Sequence, residues 1–113
     1  MAYANLPQTA QQSHNPTGRH FVPGGGLTYG EQVRPDDLVD VDFDQRQLSV
    51  DGLYVVEHLS ESGDTKGISC RRFDFSIGGF WRVDTTGGGT WHQLDGTEPI
   101  RIAGRVCKVY RPV

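Results

Sequence analysis

From Leu38 onward the chain alternates apolar and polar residues in short runs, with turn-forming clusters between them. Leu38-Val39-Asp40-Val41-Asp42-Phe43 has the period-two pattern of a half-buried strand, introduced by the turn chemistry of Arg34-Pro35-Asp36-Asp37. Leu53-Tyr54-Val55-Val56-Glu57-His58 is the clearest strand, rich in β-branched and aromatic residues. Ser60 to Gly67 has turn composition throughout and predicts a connection between two antiparallel strands. Ile68 to Phe75 continues as a strand whose apolar phase changes at Arg71-Arg72, which predicts a bulge or bend there, or a functional exception on the buried face. Further strands are expected over Phe80–Asp84, Trp91–Leu94 and Ile100–Tyr110, separated by Gly78-Gly79, Thr85–Thr90 and Asp95-Gly96. Gly104 in mid-strand implies a kink or a close backbone approach. Tyr54, Phe73, Phe75 and Phe80 are the expected aromatic core. No segment carries a 3.6-residue period over three turns, so the expected fold is mostly β, a bent, barrel-like antiparallel sheet.

The chain ahead of these strands reads differently. Residues 1–20 are polar and aperiodic, with Gln8, Gln11, Gln12, Ser13 and Asn15 prominent, and predict a flexible arm. That arm is too short for a helix-turn-helix head. His14 and His20, within it, are expected to be solvated. Phe21-Val22-Pro23 suits a short edge segment, where proline is tolerated. The division is therefore an arm over 1–20 and one β domain over 21–113, consistent with a length of 113 residues.

Composition narrows the function classes. A net charge of −3 carries no electrostatic footprint for nucleic acid or for an anionic membrane. No apolar run approaches the ~20 residues of a membrane span, and the first residues lack a signal peptide's basic and apolar regions. A cytoplasmic location is the resulting expectation. Cys70 and Cys107 have no partner cysteines at zinc-ligand spacing, and both are expected as reduced, buried thiols in strands.

Several residue groups bear on chemistry. Asp40, Asp42 and Asp44 recur at period two, and diverge along one strand; a solvated face is expected rather than a metal site. Gly24–Gly26 and Gly87–Gly89 lack the lysine and helix of a phosphate-binding loop. No cofactor or metal is implied. Trp81 and Trp91 flank the Gly87 loop, where they can stack a small ligand or pack across a hairpin. His58 and His92 are potential bases with no serine or cysteine beside them in sequence.

A family resemblance runs through the same strands. Gly26-Leu-Thr-Tyr-Gly-Glu-Gln-Val-Arg-Pro-Asp-Asp-Leu-Val-Asp-Val-Asp42 resembles the LexA-like S24 peptidase segment Gly-Asp-Ser-Met-Glu-Pro-Thr-Leu-Arg-Pro-Gly-Asp-Leu-Val-Leu-Val-Asp. Asp51-Gly52-Leu53-Tyr54-Val55-Val56 is similar to the family's Asp-Gly-Ile-Tyr-Val-Val. Ile68-Ser69-Cys70-Arg71-Arg72-Phe73 resembles the strand ending Val-Lys-Arg-Leu, and Ile102-Ala103-Gly104-Arg105-Val106 the closing Ile-Ile-Gly-Arg-Val. The resemblance covers roughly residues 21 to 111. It implies a bent β-fold of the LexA/signal-peptidase (β-clip-like) type and a Ser-Lys dyad that cuts the chain between a DNA-binding head and this domain. It also implies dimerisation through the closing strand, here Arg105, Val106, Lys108 and Tyr110.

The departures fall on the dyad. Thr28 stands at the serine position and Arg71 at the lysine position. Threonine retains a nucleophilic hydroxyl. Arginine, far more basic than lysine, stays charged even after a shift that makes a buried lysine a base. Lys66, the nearest alternative, lies five residues before Arg71 and should face the opposite side of an ideal strand; Lys108 matches no family base, and the arm has no Ala-Gly or Cys-Gly cleavage pair. An arginine at the old base site should be partly buried and paired with a carboxylate. The resulting expectation is a catalytically inactive S24-like domain, acting as a homodimer or on a related S24-domain protein in a phage or stress-response repressor system. The alternatives are a residual threonine self-cleaving peptidase and a small-molecule-binding β domain.

Overall fold

The computed structural model describes residues 16–113. Seven strands form one antiparallel sheet: β1 (Arg19–Pro23), β2 (Leu38–Asp42), β3 (Gly52–Leu59), β4 (Thr65–Phe75), β5 (Trp81–Asp84), β6 (Trp91–Gln93) and β7 (Ile100–Tyr110). A single 3₁₀ turn, Gly24–Gly26, follows β1. The spatial order is β1-β2-β7-β3-β4-β5-β6. The mostly-β expectation holds. Among the described residues the sheet is not a closed barrel, because β1 and β6 lie at its two ends with no strand pairing between them. Of the arm expected over 1–20, residues 1–15 (with His14) lie outside the described residues, and Arg19 and His20 already belong to β1.

A lone sheet of this length must cover both faces, and β3 shows how. Its side chains alternate sides. Val55 joins one buried cluster with Leu27, Tyr29, Val33, Val39, Val41, Cys70 and Val106. Tyr54 and Val56 join a second with Phe73 and Val83. The first face is covered by residues 24–37, which double back between β1 and β2. There Leu27, Tyr29 and Val33 point inward, fastened by turns from Leu27 N to Gly24 O (2.8 Å) and Tyr29 N to Val33 O (2.9 Å). The second face is closed by Leu48, Leu94, Ile100 and Ile102, which pack against the second cluster although β6 and β7 stand far apart in the strand order. The sheet is therefore curled on that side.

The bends lie elsewhere than the sequence suggests. Arg71-Arg72 pairs without interruption against Tyr54 and Leu53. Register shifts occur at Asp40/Val41, His58/Leu59 and Val55/Val56, the last opposite Gly104 and Ile102. The change of apolar phase at Arg71-Arg72 arises because β4 is covered on both faces, so Cys70 and Phe73 are buried on opposite sides. Gly104 does meet a close backbone: an added Cβ would stand 2.9 Å from Val41 Cγ1 and 3.0 Å from Asp42 O.

Three burial expectations are corrected. Phe75 and Phe80 are exposed, because Phe75 is the last residue of β4 and Phe80 lies in the connection ahead of β5; Phe75 packs edge-on against Trp81. Cys107 is exposed, since it falls at the shift between Val106 and Lys108. Asp40 is buried rather than solvated, and the Arg19 guanidinium of the edge strand covers it in a bidentate pair.

Candidate functional site

The segment 24–37 carries Thr28 between two inward residues, so its own side chain is exposed. Tyr29, at the position of the family's methionine, is buried, and its hydroxyl donates to the Asp84 carbonyl. Burial pushes the Tyr29 phenol up, opposed by the nearby Arg72 backbone. Gly30 lies against Gly87, where a Cβ on Gly87 would meet Gly30 N at 3.1 Å. The Gly87 loop therefore buttresses the covering segment.

Arg71 pairs with Tyr54 across β3, so it projects from the face of the second cluster. It is half-buried, and its Nη1 donates to the Cys70 carbonyl at 2.7 Å. A carbonyl, and no carboxylate, is its hydrogen-bond partner among the described residues. The neighbouring Arg72 pairs with Leu53 on the covered face and donates to Gln32 Oε1 at 3.3 Å. No hydrogen bond joins Thr28 to Arg71 among the described residues. Lys66 is exposed near the start of β4.

The structure places a pair that the sequence does not announce. His58 Nε2 lies 2.7 Å from Ser69 Oγ, diagonally across β3 and β4. Burial lowers the His58 pKa, and the Arg71 and Lys66 charges lower it further. Which of the two groups donates in this hydrogen bond is set by the imidazole tautomer. The only signal for it was the hairpin register, which alternation alone does not fix. His92 is exposed on β6.

Trp81 and Trp91 are half-buried and both engaged. Trp81 packs on Phe75 and the second cluster, and Arg82 lies 4.4 Å over the Trp91 ring. In the closing strand, Val106 is packed into the first cluster and Arg105 is half-buried, whereas Lys108 and Tyr110 are exposed with Lys108 Nζ 4.9 Å over the tyrosine ring. Phe21 of the end strand β1 meets Tyr110 at 5.9 Å, and the exposed Leu38 pairs with Tyr110. Phe21, Leu38 and Tyr110 thus make an apolar patch beside the open sheet end.

On the other face, beside the covering segment, lies a cavity of about 300 Å³. Val22, Leu27, Phe43, Val55, Ile68 and Ala103 supply its apolar wall. Arg46, Glu57 and Thr65 supply its polar rim. Glu57 accepts from Arg101 Nε and Nη2 (3.2 and 3.0 Å) and from Thr65 Oγ1; the Arg101 guanidinium holds its carboxyl below the ordinary range against the opposing effect of burial. Among the described residues no helix is long and apolar enough to cross a membrane.

No family model, curated protein or solved structure matches this chain.

Proposed function

We propose that this chain is a binding module on a bent S24-like β scaffold whose peptidase chemistry is gone, and that it acts in the cytoplasm by self-association or by docking a related domain. The observation that carries the reading is the state of Arg71. Arg71 stands at the sequence position that the resemblance gives to the base, it bonds to the Cys70 carbonyl on the face of the second cluster, away from the segment that carries Thr28, and an arginine supplies no general base there. The exposed Phe21, Leu38 and Tyr110 beside β1 support association, because apolar side chains next to a sheet edge that has no pairing strand among the described residues favour contact with another chain. The two free thiols, Cys70 and Cys107, suit a reducing compartment.

Two measurements test it. Intact mass after prolonged incubation at alkaline pH should show an uncut chain, identical in wild type and Thr28→Ala. Cleavage in the wild type that the substitution abolishes would overturn the loss of chemistry. Sedimentation across a concentration series should show association that Phe21→Ser with Tyr110→Ser weakens; a monomer at every concentration would remove self-association and leave docking on a partner.

A further inference from the structure

The cavity on the covered face is independent of the dyad positions and of the patch at β1. Its wall is apolar, and its one polar edge is unequally charged. Glu57 is paired with Arg101 through two contacts and accepts from the Thr65 hydroxyl, while Arg46 attracts it only at longer range. Arg46 has no such partner: none of the ion pairs among the described residues includes it. Instead Arg46 Nε donates to the Phe43 carbonyl and Nη2 to the Pro16 carbonyl, both at 2.7 Å. Phe43 and Pro16 themselves line the cavity, so these bonds fix the guanidinium at its rim. A guanidinium carries five N–H donors, and these two bonds leave Nη1 unspent. Among the described residues the rim thus carries one net positive charge, Arg46 and Arg101 against Glu57, with the Arg46 guanidinium held in place beside the apolar wall.

From this geometry we infer that the cavity binds a small apolar monocarboxylate, its chain against Val55, Ala103 and Ile68 and its carboxylate on Arg46. The charge count favours a monoanion, because a cation would meet Arg46 and a dianion would exceed the one net charge. A cavity of about 300 Å³ suits a short-chain acid of roughly ten non-hydrogen atoms, at the small end of the ligands such sites take. That is the size of an eight-carbon fatty acid. The volume sits at the lower end of ordinary ligand sites.

Octanoate is the probe, with octanol, octylamine and a neutral apolar peptide amide as comparisons. Backbone amide shifts of the ¹⁵N-labelled chain locate binding, and calorimetry measures it. Octanoate should move the amides of Val55, Glu57, Thr65 and Ala103 and leave the Trp81 and Trp91 indoles in place. It should bind roughly tenfold or more tightly than octanol, as a charge-assisted hydrogen bond implies. Arg46→Gln should remove that preference, and its exposed position leaves the core intact. Ala103→Leu should fill the cavity and weaken every probe, with the amide spectrum reporting whether that variant folds. The inference is overturned by octylamine or the peptide amide binding as tightly as octanoate, by Arg46→Gln binding octanoate unchanged, or by no octanoate binding at millimolar concentration.

Discussion

Arg111 holds Asp37 with two parallel contacts, Nε to Oδ1 and Nη2 to Oδ2, both 3.0 Å. The Asp37 side chain is fully buried, and it also accepts from the Arg34 amide at 2.7 Å. The same Arg111 Nη2 donates to the Glu31 carbonyl. The residue after β7 is thus tied to the segment that covers the first cluster, at both of its turns. Removing the arginine leaves a buried carboxylate without its counter-charge, the costly half of such a pair.

The acid response follows from that pair. The Arg111 guanidinium, with help from the Arg34 amide, holds Asp37 below the ordinary range; Arg19 does so for Asp40 and Arg82 for Asp74. A carboxylate whose folded pKa lies below its unfolded value stabilises the fold above that unfolded value, about 3.9 for aspartate. The contribution disappears as pH falls through the folded value. The melting temperature should therefore drop steeply below about pH 4. Asp37→Asn should melt lower at neutral pH and show a shallower acid slope. Parallel melting curves for the two proteins would remove Asp37 from the acid response.

Two strand glycines should respond oppositely to alanine. At Gly104 the new Cβ meets Val41 Cγ1 at 2.9 Å, Asp42 O at 3.0 Å and Phe43 Cα at 3.2 Å, and two of these atoms are backbone. Overpacking of that kind costs about 1–3 kcal/mol. At Gly67, in β4, a Cβ meets nothing within 4 Å, so alanine there should stabilise by about 0.5–1 kcal/mol. Urea unfolding of both variants is the measurement. Equal effects would show that the approach of β2 to Gly104 is looser than the structure has it.

The contrast shows what was legible in the sequence. Gly104 could be singled out because a glycine interrupts an apolar run, and strands β2 to β7 could be placed because their periodicity is local. Pairing order is not local. That β7 inserts between β2 and β3 decides which faces are buried, and no spacing in the chain announces it. Arg71 illustrates the consequence. Its position in β4 was readable, but its face follows from pairing with Tyr54, and its neighbour Arg72 faces the covering segment instead. Arg46 escaped notice because nothing in Asp44–Ser49 distinguishes it from a solvated loop.

Tyr54 anchors the second face through its hydroxyl as well as its ring. The hydroxyl donates to the Val50 carbonyl at 2.7 Å and lies 3.3 Å from the Ser49 and Val50 amides, which fixes residues 49–50 against the sheet. The ring meets Phe73 edge-on at 5.6 Å. Tyr54→Phe should cost about 1 kcal/mol and release the 49–50 amides to exchange. Phe73→Ala should cost about 3–5 kcal/mol without selectivity for that segment. Denaturant unfolding with hydrogen exchange separates the two; unaltered exchange at 49–50 in Tyr54→Phe would count against the anchor.

The Asp84 carboxylate organises the loop between β5 and β6. It accepts from the amides of Thr86, Gly87, Gly89 and Thr90 at 3.0–3.3 Å. Burial pushes this carboxyl up, and the four amides more than offset that, so it stays ionised at neutral pH. Asp84→Ala should raise amide exchange at Gly89 and Thr90. It should also loosen Tyr29, whose hydroxyl bonds to the Asp84 carbonyl and whose neighbour Gly30 rests on Gly87. Retained protection at Gly89 and Thr90 would show that the loop holds its shape without the carboxylate.

The two thiols should separate cleanly by reactivity. Cys70 is fully buried between β3 and β5, and burial pushes its thiol up to about 12, with Arg71 opposing. Only the thiolate attacks a disulfide reagent, so at about pH 8 roughly one molecule in 10⁴ is ready to react even before access is counted. Cys107 is exposed, with its sulfur 3.9 Å from the Arg105 carbonyl. An aromatic disulfide reagent should therefore label one thiol per native chain rapidly, and the second only as the chain unfolds. Cys107→Ser should abolish the rapid phase. The slow rate at Cys70 should rise with urea, because it reports the opening of the strands that enclose it. Rapid labelling of two thiols in the native protein would mean that the first cluster does not exclude solvent.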